Sequence, residues 1–171
     1  MNPTERRRKF KAALRAPGAT RVFGPSAVRE LADPGVKSGA QTRLLSGMEA
    51  EGDLVCVRRG LYLNRLCYPP ATLDEAAASV RSGAVVSMQR ALGQCGAFNN
   101  PWRAVTAVVP VREGAPAPSG LGQRDFPGGT FVFHAIAAEV LEAGAEEDRL
   151  APLPYPRATP EAALVHWLWL G

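Results

Sequence analysis

Apolar and polar positions follow two periods along this chain, and the period changes at clear breaks. Phe10, Ala13 and Leu14 recur at i, i+3 and i+4. That spacing makes one helix face and predicts a helix over Thr4–Arg15 with Thr4 as its cap. Pro17-Gly18 breaks it, and Arg21-Val22-Phe23 reads as a short strand. A short helix pattern follows over Ser26–Leu31, capped by Ser26, and then a turn at Pro34-Gly35. A second helix pattern runs from Ser38, its natural cap, to Glu51. At about 100° per residue, Ala40, Leu44, Leu45 and Met48 share one side of it. Gly39, Thr42, Arg43 and Ser46 oppose them, and Ser38 and Gln41 sit at the flanks. Two apolar runs, Leu54–Val57 and Leu61–Leu63, then flank Arg58-Arg59-Gly60 and predict a hairpin. Alternation leaves open whether Leu54 and Cys56 or Val55 and Val57 face inward.

Pro69-Pro70 marks a boundary, which divides the chain into domains over 1–68 and 71–171. Thr72 to Glu75 has the S/T-x-x-E form of a capping box and predicts a helix to about Arg81. Val85-Val86 reads as a buried strand or a helix lead-in, and Ser87–Cys95 as a helix closed by Gly96. Asn99-Asn100-Pro101 reads as a turn. Strands are expected at Ala104–Val111 and Thr130–Phe133, joined by a long Gly/Pro-rich loop over Glu113–Gly129. Glu146-Glu147-Asp148 reads as an acidic turn, and Pro152, Pro154 and Pro156 as an extended segment. Thr159-Pro160-Glu161 is a strong helix start, and that helix runs to Leu170. Trp167 and Trp169 point in different directions on it. One can enter the core, while the other stays exposed unless something covers it.

The predicted fold class is α+β: a winged helix-turn-helix followed by a small mixed α/β domain. In a winged helix-turn-helix the second helix enters a major groove and the hairpin tip lies along the phosphates. Charge fits that layout. Residues 1–70 carry 13 Lys and Arg against 6 Asp and Glu, whereas residues 71–171 carry 7 against 10. A basic front part is expected to bind a polyanion, and the mildly acidic rest to do something else. Arg6, Arg7, Arg8, Lys9 and Lys11 crowd the first helix, where cations oppose the macrodipole. That local cost points to an anion outside the helix. The expected duplex contacts are Arg6, Arg7, Arg8 and Lys9 on this helix and Arg58 and Arg59 on the hairpin, all to phosphate. Lys37, Ser38, Gln41, Thr42, Arg43 and Ser46, on or beside the second helix, are expected to contact DNA as well, and Arg, Gln, Ser and Thr are all side chains that read base edges in a groove. Short polar side chains there allow close approach to base edges.

Three motifs in this order carry a family resemblance: VRRGLYLN after the helix-turn-helix, SGAVVSMQRALGQCG, and ATPEAALVHWLWL. Together they resemble the AbiEi-type antitoxins, whose members commonly show a wing like RRGLY, a helix start like GAVLSLESAL and a helix like TPEKALLDLLYL. The resemblance spans most of the chain. It implies an antitoxin of a type IV, abortive-infection toxin–antitoxin operon. Such a protein represses its own operon at inverted repeats through its winged helix-turn-helix, and its C-terminal region acts against a nucleotidyltransferase-like toxin. The implied DNA contacts fall on the Ser38–Ser46 helix and on Arg58 and Arg59. The family's lysine after TPE is Ala162 here, and the sequence stops after that helix where many members continue. The C-terminal domain is therefore expected to be a shortened form.

Other classes find little support. No run approaches the roughly 20 apolar residues of a membrane span, and no apolar stretch follows the basic first residues as in a secretory signal. The expected location is the cytoplasm, with no membrane partner. The three cysteines, Cys56, Cys67 and Cys95, form no CxxC pair, and only His134 and His166 could join them, so no metal site is expected. Cys95 is expected to lie buried on its helix. No GxSxG, GxxxxGK[ST] or GxGxxG pattern occurs, so neither an enzyme nor a cofactor is expected. The expected partners are operator DNA and a toxin, with the protein a monomer or a dimer assembled on DNA. The rival expectation is a protein-interaction module that holds a toxin or a second subunit through Trp167 and Trp169, without specific DNA binding.

Overall fold

The first helix begins at an asparagine. In the computed structural model, which describes residues 1–99, 103–116, 118–143 and 154–170, α1 spans Pro3–Arg15. The Asn2 carboxamide oxygen accepts from the Glu5 amide at 2.8 Å, and Pro3 takes the first helical position. The cap is thus Asn2 rather than Thr4. Phe10 and Leu14, one turn apart, are fully buried. The strand β1 (Val22–Phe23) follows, then α2 (Ala27–Leu31), α3 (Ser38–Ala50), β2 (Leu54–Arg58) and β3 (Leu61–Asn64). Two further caps differ from expectation. Ser26 makes no capping bond because the turn already starts at Gly24, whose carbonyl accepts from Ala27. Ser38 is already helical, and Lys37 holds the cap position with its carbonyl accepting from Ala40 and Gln41.

The strands form a sheet in the order β1-β3-β2, antiparallel throughout. The register of β2 slips between Cys56 and Arg58. This bulge explains why neither alternation fits: Leu54, before the irregularity, and Val57, the residue within it, are both buried. Phe10 meets Phe23 edge-on at 5.8 Å, and Tyr62 stacks on Phe23 at 6.1 Å. Val28, Leu45, Met48 and Leu54 complete this core. Buried Asn64 ties its parts together. Its amide nitrogen donates to the Leu14 carbonyl at 2.8 Å and to that of Thr20 at 3.1 Å, and its oxygen accepts from the Leu66 amide at 2.9 Å.

The chain divides into two units, Met1–Leu73 and Asp74–Gly171. From that boundary on, a 3-10 turn (Leu73–Ala76) and a one-turn helix α4 (Ala77–Val80) replace the expected capped helix. The reason is that Asp74 and Glu75 turn into the interior. Arg90 grips Asp74 with two nitrogens, at 2.5 and 2.7 Å. The second unit continues through β4 (Val85–Val86), α5 (Met88–Gln94), β5 (Val105–Val111), β6 (Gly122–Phe126), β7 (Gly129–Ala137), α6 (Ala138–Ala143) and α7 (Pro160–Leu170). Its sheet has the order β4-β5-β7-β6, with β5 and β7 parallel and the other pairs antiparallel. Strand β6 lies where a loop was expected. It is an edge strand whose first four residues are exposed, so no apolar alternation announces it. The expected turns at 99–101 and 146–148 and the segment from Pro152 lie wholly or partly outside the described residues. The fold class is mixed, with helices and two sheets, as α+β requires. No helix among the described residues is long and apolar enough to cross a membrane.

Candidate nucleic-acid interface

The outward side of α3 is short and polar. Ser38, Gly39, Thr42, Arg43 and Ser46 are all exposed, while Leu45 and Met48 point into the core. The Thr42 hydroxyl donates back to the Ser38 carbonyl at 3.2 Å. A Cβ placed on Gly39 or Gly47 would meet nothing within 4 Å, so no packing inside the protein requires either glycine. Gln41 departs from expectation. It is only 6% exposed, and its side-chain nitrogen has no hydrogen-bond partner. Its direction on the wheel falls between those of Leu45 and Met48, so it turns inward and offers nothing to a groove.

The cations of α1 differ from expectation more sharply. Arg6 pairs with Asp33 at 2.7 Å, and both side chains are largely covered. Arg7 pairs with Glu51, and Lys11 reaches Glu51 at 2.9 Å and Asp53 at 2.5 Å. Lys9 lies 3.7 Å from Glu5, one turn back on the same helix. The anions that offset the crowded charge are therefore on the protein itself. These pairs shift titration as expected: the Arg6 bond holds the Asp33 carboxyl below its ordinary range, and Lys11 and Arg7 do the same for Glu51. Lys11 is pushed up by Asp53 and Glu51. Arg6, expected to be a phosphate ligand, instead joins α1 to the turn after α2.

Arg8, Lys37, Arg43 and Arg59 remain exposed, with no ion pair among the described residues. Arg15 and Arg29 share that condition, although no role was expected of them. Arg58 and Arg59 stand exposed at the turn between β2 and β3, where Gly60 takes a left-handed backbone (φ +79°). The Cys56 thiol donates to the Arg58 carbonyl at 3.2 Å, and burial pushes that thiol's pKa up. Between the first turn of α1 and the edge of α3 lies a cleft of about 360 Å³. Its wall includes Thr4, Arg6, Arg7, Ala40, Arg43 and Leu44.

The second unit offers a different surface. Helix α7 sends Ala162, Ala163 and His166 inward and leaves Leu164, Val165, Leu168 and Trp169 in solvent. Trp169 is 64% exposed and Leu168 74%. Trp167, 36% exposed, packs edge-on against Phe98 at 5.6 Å. The largest side chain that this helix buries fully is thus a histidine and neither tryptophan. His166 is fully buried, with Nδ1 2.7 Å from the Ser87 hydroxyl. Burial lowers its pKa, and the Val140 backbone partly opposes that. Thr106 donates to the Ser87 carbonyl at 2.6 Å and completes the network. Cys95, expected to be buried, is exposed just past the end of α5.

No family model matches the sequence, and no curated protein matches it. Among solved structures, the chain is similar to the RV2827C protein from Mycobacterium tuberculosis, with a TM-score of 0.57 and 16% identity. The match covers 94% of this chain and 59% of that one, so this chain spans about three-fifths of that protein's length. At this identity the likeness is one of fold.

Proposed function

We propose that the first unit is a winged helix-turn-helix that binds double-stranded DNA, and that the protein is a transcriptional repressor of the antitoxin kind. One observation carries the reading. The element order α1-β1-α2-α3-β2-β3 sets an exposed, short-chained polar helix in the same unit as an arginine-tipped hairpin. A helix with that outer face fits a major groove about 12 Å wide, and a hairpin tip with two cations fits the adjoining phosphates. Bases would be read by Ser38, Thr42 and Ser46, and phosphates held by Arg58, Arg59, Lys37 and Arg8. Arg6 and Gln41 drop out of the interface, and Arg7 and Lys9 stay only as cations already paired with acids. In this reading two protomers assemble on an inverted repeat in the operator. The reading is tested by gel-shift titration with a duplex selected from a random pool. Arg58→Ala with Arg59→Ala should weaken binding to selected and scrambled duplex alike. It should also reduce the salt slope by roughly one to two, since each lost phosphate contact removes about 0.9. An unchanged titration would remove the wing from the interface.

The exposed apolar side of α7 favours a second role beside this one. Leu168 and Trp169 are large, and an apolar surface of that kind is commonly covered by a partner. A nucleotidyltransferase-like toxin is the partner that the antitoxin reading supplies.

A further inference from the structure

We propose that the cleft between α1 and α3 seats one backbone phosphate of the bound duplex, and that Arg43 is a phosphate clamp rather than a base reader. The inference rests on the DNA-binding reading above and gives a role within it to Arg43, which was expected among the base readers. Three arginines, Arg6, Arg7 and Arg43, share the cleft wall with the Thr4 residue. Two of them have acids at hand, Asp33 and Glu51, while Arg43 makes no ion pair among the described residues. Asp33 and Glu51 already balance Arg6 and Arg7, so Arg43 is the cation of this wall with no acid paired to it among the described residues, and its charge-assisted hydrogen bonds are open to an oxyanion that enters the cleft. A phosphodiester supplies that oxyanion; a guanine edge, which is neutral, does not. Placement agrees. A helix about 10–12 Å across nearly fills a major groove of about 12 Å, so its flanks meet the sugar-phosphate strands. Ala40 and Leu44 put the cleft on one such flank, and Arg43 stands on the shoulder between it and the outward face. Sequence discrimination is then left to Ser38, Thr42 and Ser46, with Gly39 allowing close approach.

Two exposed-site variants and one altered duplex test this. Arg43→Gln should weaken selected and scrambled duplexes by the same factor and lower the salt slope by about 0.9, the contribution of one phosphate. Arg43→Lys should recover most of the affinity, because an ammonium can hold a phosphate but not grip guanine with two bonds. A series of duplexes, each with one phosphate replaced by uncharged methylphosphonate, should contain one that reproduces the loss and on which Arg43→Gln has no further effect. The inference is overturned if Arg43→Gln changes the ratio of selected to scrambled binding while leaving the salt slope intact, or if no methylphosphonate position is coupled to it. Wild-type protein that binds no duplex would overturn the DNA-binding reading itself, and this inference with it.

Discussion

Helices α3 and α7 are similar in length and opposite in what they show to solvent. The outer side of α3 carries Gly39, Thr42, Arg43 and Ser46, whereas that of α7 carries Leu164, Val165, Leu168 and Trp169. Each also turns one polar side chain into its core, Gln41 in the first and His166 in the second. The pairing of outside and inside is informative. A helix that meets a hydrated, charged ligand keeps short polar groups outward, because every bulky apolar group there would block hydrogen bonding without being desolvated. A helix that keeps large apolar groups outward stabilises only a contact that removes them from water, at about 25 cal/mol per Å². The two faces therefore suit ligands of different kinds, and one chain carrying both suits a protein that answers to two partners.

The contrast breaks most severely if the frame behind α3 is removed. Asn64 has three hydrogen bonds to backbone groups at the end of α1, in the turn that follows it, and after β3. Asn64→Ala leaves those groups buried and unpaired, and should cost about 3 kcal/mol in a urea melt of the full chain. Asn64→Asp retains the oxygen that accepts from Leu66 but turns a buried carboxylate oxygen toward the Leu14 and Thr20 carbonyls, so near neutral pH it should cost at least as much as the alanine variant. A melt unmoved by Asn64→Ala would mean that the hub is not what fixes α1 against β3.

How far this frame could be read from the sequence depends on the range of each contact. The outward residues of α3 follow from 100° periodicity, which acts within four residues. Gln41 occupies an inward direction on that same wheel, so its position places it in the core although its polar type suggests the surface. Arg6 and Arg7 look like free cations because Asp33 and Glu51 stand 27 and 44 residues away in the chain, and nothing local announces either pair. His166 and Ser87 are 79 apart. Both tryptophans are easy to notice in α7, yet the smaller histidine takes the core position because Ser87 satisfies one of its ring nitrogens.

The next effect is a pH dependence from the α7 side. Burial holds His166 below its ordinary 6.5, and half-buried His134 is shifted the same way. The unfolded chain therefore binds protons that the folded chain resists. The stability is fully present above about pH 6.5 and is lost as pH falls toward the folded values, by at most about 1.4 kcal/mol per pH unit for each histidine. Asp33 and Glu51, whose values are lowered, add stability that is lost only further down, below their ordinary 3.8 and 4.5. Urea midpoints between pH 7 and 5 should fall in wild type. They should fall less in His166→Gln, which retains a hydrogen-bonding group toward Ser87 but cannot take up the proton. Equal slopes in the two proteins would remove His166 from the acid response.

The smallest change separates the two helices most cleanly. Gly47 lies inside α3, where glycine costs about 0.5–1 kcal/mol relative to alanine, and Gly39 in its first turn, where that figure is an upper bound; each has open space where a Cβ would go. Inside the free protein these glycines have only a cost. Gly47→Ala should raise the urea midpoint by an amount corresponding to about 0.5–1 kcal/mol, and Gly39→Ala by up to that much. If α3 lies in a groove, the same methyl at Gly39 stands between helix backbone and base edges, so DNA affinity should fall while stability rises. At Gly47, nearer the end of the helix, the loss of affinity should be smaller. Opposite signs of stability and binding in one variant identify a residue selected for its ligand rather than for the fold. If both variants gain stability and bind the selected duplex as well as wild type, the face of α3 does not approach DNA, and its contrast with α7 reduces to one helix being more soluble than the other.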